Sequence, residues 1–429
     1  MSHIRHSILA ATFIAASAQA LAGQSLADRV NAAPDGRVQF TFAARPGICG
    51  NGRTYIQTGP NSYTGTFYGN INEATRNDPC VAGPVRVVID RADKLPLSVQ
   101  TYVGPPQTDR GTTDLGQVQP QQAADYLLSL AARAEGRAGR DAIFPALLAD
   151  NANTASALVA IARNQSLPRE TRRTALTHMG RSTDGMQTIP ADVTNQLLSI
   201  ARDETDNQSV RQQALSVLGR LDHGAGIPPL IDLSRQTQNT WLARESMSTL
   251  ARSGDPRARQ YLRTAVRRTD LPDDVLTVAL RALGQEYATA QDATLLRELY
   301  PKLTSDRSRE AVFQALTEMG GAENTRWLLE MAKNSNEMLP TRRKAVEAAS
   351  RAGAPIGELV KMYDTTTDPQ MKETLVGIYI RNGETQAIDK LLSIVKDEPN
   401  ITVRKRAISR LSSSENPRIK QALADLVVR

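Results

Sequence analysis

Two histidines and two cysteines carry nearly all the nucleophilic or metal-binding chemistry this chain offers beyond its first twenty-two residues. His178 and His223 stand far apart in sequence, so neither a two-histidine zinc motif nor a compact Ser-His-Asp arrangement is indicated. No G-x-x-x-x-G-K loop or G-x-S-x-G elbow occurs, and no G-x-G-x-x-G follows a strand. Paired-carboxylate chemistry stays open to any chain rich in Asp and Glu. Here those residues fall mainly in turns and on polar helix edges. The expectation is a protein without catalytic residues, metal or cofactor, with an enzyme of unknown type as the third reading.

The cysteines read through the compartment. Arg5, the apolar run Ile8–Ala16 and the small-x-small Ala20-Leu21-Ala22 have the form of a signal peptide, residues 1–22. The run is shorter than the ~20 residues of a membrane span, and no later stretch is long and apolar enough to span. The expectation is an exported protein, periplasmic or extracellular, with no membrane span after cleavage. Export makes a Cys49–Cys80 disulfide the default for the only cysteine pair. A redox or metal-binding thiol pair is the alternative, but there is no C-x-x-C spacing and no histidine nearby. Loss of Arg5 takes the formal charge from +7 to +6. That mild excess weakly favours an acidic partner and falls short of a nucleic-acid-binding composition.

Around the cysteines the hydrophobic period is two. Val38, Phe40 and Phe42 alternate with Gln39 and Thr41, while Leu97, Val99, Thr101 and Val103 alternate with Ser98, Gln100 and Tyr102. Val85–Ile89 is a further β-branched run, and Asn51-Gly52 is a hairpin-type turn. These predict a small antiparallel sheet over about 35–105, inside a disulfide-stapled module at 23–112. Tyr55, Tyr63, Phe67 and Tyr68 either fill its core or line a ligand surface. Gly104–Pro120 reads as a connector, with no convincing strand later.

From Gln121 the period is helical. Small residues recur at Ala175, Ala214, Ser246, Ala279, Ala315, Ala345, Thr374 and Ala407, spaced by 29 to 39 residues and each followed by a large apolar one. Five residues further on, six of the eight positions are Gly or Ser, which lets the next pair approach and the chain turn. Polar breaks such as DETDN (203–207) supply caps; Asp206 or Asn207 starts the second helix there. A pair of ten-residue helices cannot bury its apolar stripes alone, so copies must stack. The predicted fold is mostly α: an α-solenoid over 113–429 with eight helix pairs, capped by the helix from Gln121 with Asp141–Ala149 and by the helix Arg418–Val427, and preceded by the small β-rich domain.

The segments Ser209–Gly219 (SVRQQALSVLG), Glu170–Gly180 (ETRRTALTHMG) and Thr402–Ser412 (TVRKRAISRLS) resemble the HEAT-type repeats of bacteria, in their phycobilisome-lyase-like subtype. Val38–Gly52, Cys80–Asp90 and Thr113–Ala131 resemble the front domain of secreted bacterial HEAT-repeat proteins. An exported chain with no free cysteine does not fit bilin-lyase chemistry. The resemblance implies that Arg172, Arg211, Arg342 and Arg404, three before the small residue, join neighbouring repeats through acidic or carbonyl groups. It also implies that second helices line the concave side. There Arg173, Arg244, Arg343, Lys372 and Lys405, two before the small residue, form a candidate row for an acidic partner; a merely solvated face is the alternative. Arg259, Arg263 and Arg267, four apart on a first helix, read as solvation.

The functional expectation is a non-enzymatic protein-interaction scaffold binding its partner on the concave face. The alternative is an envelope ligand-binding or sensor protein acting through the β-rich module.

Overall fold

The computed structural model describes residues 24–59, 62–64, 79–105, 111–134, 136–182, 190–236, 238–412 and 415–427. The signal-peptide segment, Phe67 and Tyr68 lie outside the described residues. The chain divides into two compact units, Met1–Gly226 and Ile227–Arg429.

The first unit opens with a short helix, α1 (Leu26–Ala32), capped by Ser25. Its main sheet contains β1 (Gly36–Phe42), β5 (Val85–Ala92), β6 (Leu95–Val103) and β7 (Thr112–Gln117) in the order β6-β5-β1-β7. A second small sheet holds β2 (Cys49–Gly50), β3 (Ile56–Gly59) and β4 (Ser62–Thr64) in chain order. The core is the expected one: Val38, Phe40, Phe42, Val85, Val87 and Ile89 are buried.

Two expectations need correction. The main sheet is mixed rather than antiparallel, because β7 pairs with β1 in parallel. That strand falls inside the stretch read as a connector. Its sequence TTDLGQ is half-exposed along its length and has no apolar alternation to reveal it. What holds it is β1, where buried Gln39 donates from Nε2 to the Asp114 carboxylate at 2.9 Å. The second correction concerns β6. Its inward stripe ends at Val99, leaving Leu97 and Leu95 exposed.

The two sheets meet through backbone. A Cβ on Gly50 would lie 2.4 Å from the Val103 carbonyl oxygen, and one on Gly104 2.5 Å from that of Gly50. Only glycine permits this approach. The Cys49–Cys80 disulfide, across a sequence separation of 31, is formed at the same junction. Asn51-Gly52 turns the chain from β2 to β3, the Asn51 Oδ1 accepting from the backbone N–H groups of Arg53, Thr54 and Tyr55. Beyond β7 come α2 (Pro120–Ala131), α3 (Gly136–Asp141) and α4 (Ile143–Leu147). The end of β1 is tied to the residues after α4: Arg45 N–H donates to the Leu148 carbonyl and Asp150 N–H to that of Ala43.

Helix pairs follow. In the first unit they are α5 (Ala155–Arg163) with α6 (Arg169–Ser182), and α7 (Ala191–Arg202) with α8 (Gln208–Leu218). In the second unit α9 (Ile227–Ser234), α11 (Pro256–Ala265), α13 (Ala290–Leu299), α15 (Ala322–Lys333), α17 (Ile356–Thr365) and α19 (Thr385–Asp397) are first helices. Their partners are α10 (Thr240–Arg252), α12 (Asp273–Leu283), α14 (Asp306–Met319), α16 (Leu339–Arg351), α18 (Pro369–Asn382) and α20 (Ile401–Leu411); α21 (Pro417–Val427) ends the unit. The eight small residues that set the register all lie buried in second helices. Caps sit where the polar breaks placed them: Asn207, Asp368 and Asn400 each accept from backbone N–H groups of the helix they start.

The glycines of the register divide by role. At Gly284 a Cβ would lie 2.4 Å from the Ala315 Cα on the next second helix, so close packing excludes any side chain. Gly320 has φ +62 with open space around it, and ends its helix by turning the chain. At Gly180 the nearest contact would be an ordinary 3.6 Å.

Candidate functional site

Three of the four inter-repeat arginines bond inside their own pair, and Arg172 also reaches the next. Arg172 Nε donates to the Ala162 carbonyl at 2.7 Å, Arg211 Nε to Ala201 at 3.1 Å and Arg342 Nε to Ala332 at 3.1 Å. Each acceptor is at the C-terminal end of the first helix of the same pair, where carbonyls lack intrahelical partners and the helix dipole favours a cation. The carbonyl is thus the pair's own, not a neighbour's as the resemblance implied. The link onward is carboxylate: Arg172 is bidentate to Asp206 of the next pair, with Nη1 at 2.7 Å. Arg404 is half-buried and makes no such carbonyl contact among the described residues.

Further acids take the Asp206 role. Arg309 donates to the Leu303 carbonyl at 2.9 Å and to Glu337 at 3.4 Å, and Lys372 reaches Glu398 at 3.0 Å. Asp206, Glu337 and Glu398 each lie one or two residues before the cap of a second helix. That spacing is the signal by which they could have been found in the sequence.

Arg259 and Arg263 contradict the solvation reading, whereas Arg267 is exposed and donates to the Arg263 carbonyl at 2.7 Å. Arg259 is buried and donates to the carbonyls of Ala282 at 3.1 Å and Leu283 at 2.7 Å, both at the C-terminal end of α12. With Arg263 it also grips Asp292, which is fully buried in the first turn of α13. Burial alone would raise the Asp292 carboxyl; hydrogen bonds from Arg263 and Thr289, with the Arg259 charge, outweigh it and hold the carboxyl below its ordinary value. A four-residue spacing of arginines looks like an exposed edge until the acid one repeat on is noticed.

The basic row is largely a seam. Within the second unit successive second helices lie side by side, so a residue two before the small one points toward the following helix. Thr277 and Phe313 in that row are buried. Arg343 donates to Thr374 Oγ1 at 2.7 Å and to Gln370 at 3.1 Å in the next repeat. Lys372 meets Glu398, and its ammonium also lies 5.1 Å from the Tyr363 ring centroid. The Tyr363 hydroxyl donates to Glu398 at 2.6 Å. Burial would push the Glu398 carboxyl up, but the bonds from Tyr363, Lys372 and the Asn400 N–H hold it below its ordinary value. Burial first, and then the Glu398 bond, push the Tyr363 hydroxyl well above the usual phenol range.

Arg173 and Arg244 remain half-exposed, beside Glu170 at 3.3 Å and Asp274 at 3.8 Å. Lys405 is exposed and has no partner among the described residues. The groove of about 470 Å³ between α14 and α16 holds Glu310, Glu318 and Glu347 against Lys344 and Arg351, so it is not basic. What stands free is a stripe on α20: Ile401 is 58 % and Ile408 39 % exposed, with Lys405 between them at helical spacing.

No helix among the described residues is long and apolar enough to cross a membrane. Nor do three His, Cys, Asp or Glu side chains gather there into a metal-binding group. His178 packs on Phe144.

Residues 194–284 match the family described as HEAT repeats. The fold is a HEAT-type α-solenoid. Comparison with curated proteins gives no match. Among solved structures, human deoxyhypusine hydroxylase in complex with glycerol is similar at a TM-score of 0.27 and 18 % identity, over 60 % of this chain and 94 % of its own. The complex of CpcE and CpcF of phycocyanin lyase from Nostoc sp. PCC7120 gives 0.29 and 15 %, over 59 % and 95 %. Lipovitellin gives 0.46 and 9 %, over 86 % of this chain and 42 % of that one, so this HEAT-type chain spans under half of lipovitellin's length. Likenesses this loose say nothing of activity.

Proposed function

We propose that this chain is an exported, non-catalytic scaffold that holds a protein partner on the second-helix side of its last repeats. The observation that carries the reading is the Ile401–Lys405–Ile408 stripe. Isolated exposed apolar residues are ordinary, but two on one helix face with an unpaired cation between them suit a partner's apolar segment flanked by an acid. The proposed partner is thus mildly acidic, and contact is apolar first. Most of the basic row is already engaged with neighbouring repeats and contributes little to binding.

The test is affinity capture with the full chain from an extract of the cell envelope. Ile401→Asp combined with Ile408→Asp should lose the protein that the unaltered chain retains, while its helical circular dichroism is unchanged. Met338→Asp removes another exposed apolar side chain, at the N-cap of α16, and should retain the partner. Equal retention by both variants refutes the stripe as the contact.

A further inference from the structure

A cavity of about 650 Å³ opens in the first unit, beside the β5–β6 hairpin. That is within the ~300–1,000 Å³ of small-molecule sites. Its floor is apolar, made by Val30, Ile89, Tyr126 and Leu130. On one side the hairpin extends it outward with Leu95 and Leu97, 66 % and 61 % exposed, the two most exposed large apolar residues described. β6 alternates inward and outward correctly as far as Val99, so these leucines are apolar where the fold does not need them to be.

The remaining lining is cationic. Arg91, Lys94, Arg133 and Arg137 all border the cavity, and among the described residues no acid does. Lys94, Arg133 and Arg137 are exposed. Arg91 is buried at 5 % exposure; its Nη1 donates to the Val30 and Ala33 carbonyls at the end of α1, whereas Nη2 is buried with no hydrogen-bond partner. A buried guanidinium nitrogen left unanswered is costly, and an anion near it would offset that cost. The same charges act on Tyr126: burial raises its hydroxyl above the ordinary value against the pull of Arg133 and Arg91.

We infer that this cavity is a binding site for a single-chain anionic amphiphile, an acyl chain ending in a carboxylate. The chain lies along Val30, Ile89, Tyr126 and Leu130 and leaves over Leu97. The headgroup meets the Arg91, Arg133 and Arg137 guanidinium groups, whose planar donors fit a carboxylate. The apolar floor is too extensive for a small inorganic anion, and a rim whose described charges are all positive suits an anionic rather than a cationic headgroup. This site is independent of the partner surface on α20.

The experiment uses the full chain and a dansyl-labelled undecanoic acid, followed by its fluorescence and displaced by unlabelled dodecanoate. Saturable binding and competition by dodecanoate, with none by dodecyltrimethylammonium, are expected. Arg133→Glu with Arg137→Glu should weaken probe binding at least tenfold, on the order expected when two charge-assisted contacts become repulsive. Leu97→Asp should weaken it several-fold. All three positions are exposed, so the unfolding midpoint should not move. Absence of saturable binding, equal competition by the cationic detergent, or variants indistinguishable from the unaltered chain each overturn the assignment. Binding to phosphatidylglycerol vesicles without displacement of the probe by dodecanoate also overturns it, and makes the hairpin a membrane contact instead.

Discussion

Cations in the helix pairs and around the hairpin cavity are used in opposite ways. In the helix pairs of the second unit, Arg259, Arg263, Arg309, Arg343 and Lys372 are answered by a carboxylate, a carbonyl or a hydroxyl, mostly one repeat away. Around the hairpin cavity of the first unit, Lys94 and Arg137 face no acid among the described residues, and Arg91 Nη2 has no partner. The lesson is that a row of basic residues in a repeat protein is not evidence of a ligand surface until its counter-charges have been accounted for. Repetition brings a turn acid beside Arg172, Arg309 and Lys372 in turn. The cavity beside the hairpin has no such repeated supply among the described residues, and charge left over there marks a place where something else is meant to bind.

The largest effect that could break this contrast is at Asp292. Asp292→Ala leaves Arg259 and Arg263 in a buried site with no carboxylate, and should cost about 3–5 kcal/mol in urea unfolding of the full chain. A change below 1 kcal/mol would mean that the network is ornamental. Next is the staple of the first unit. Cys49→Ser with Cys80→Ser should cost roughly 3–4 kcal/mol on the chain-entropy estimate for a loop of this size. Hydrogen exchange should place the loss in β2 and β6 and leave α13 to α18 untouched, since repeats feel mainly their neighbours.

A smaller effect separates two glycines of one register. Gly284→Leu should cost about 1–3 kcal/mol by overpacking against Ala315, while Gly180→Ala should be neutral or stabilising by under ~1 kcal/mol, because a methyl fits there within a helix. Smallest is the pH dependence. The Asp292 and Glu398 carboxyls are held below their ordinary values of 3.8 and 4.5 in the folded chain. A depressed carboxyl adds stability that is fully present above its unfolded value and is lost as pH falls through the folded one. The second unit should therefore weaken from about pH 4.5 downward, and Asp292→Asn should flatten that slope. A slope unchanged by the substitution would remove Asp292 from the account.

The array was legible because its information is local and repeated. Ala175, Ala214, Ser246, Ala279, Ala315, Ala345, Thr374 and Ala407 share a spacing and a large neighbour, and all are buried. The direction of each side row was less legible, because a helical wheel shows the core stripe but not the angle at which the next second helix arrives; Lys372 and Arg343 reach residues of the next repeat that the wheel does not show. The α7–α8 turn acid Asp206 was read as a cap, and its bond to Arg172 spans 34 residues. In the sheet the buried strands β1 and β5 announced themselves by Phe40, Phe42 and the Val85–Ile89 run. The edge strand β7 could not: its place depends on β1 backbone and on Gln39, more than seventy residues earlier. The exposed stripe on α20 and the cavity beside Leu97 were invisible for a related reason, since both consist of apolar residues that fit the right period and then find no neighbour.

The most direct test of the charge account is Lys372→Met, which keeps the stem of the side chain and removes its charge. Two quantities should be measured on one preparation: the unfolding midpoint and the yield of captured partner. The account predicts a loss of about 1–3 kcal/mol, because Glu398 and the Tyr363 ring lose the ammonium between repeats, with partner yield unchanged. An unmoved midpoint together with a loss of captured partner would contradict it, and would return Lys372 to the binding surface.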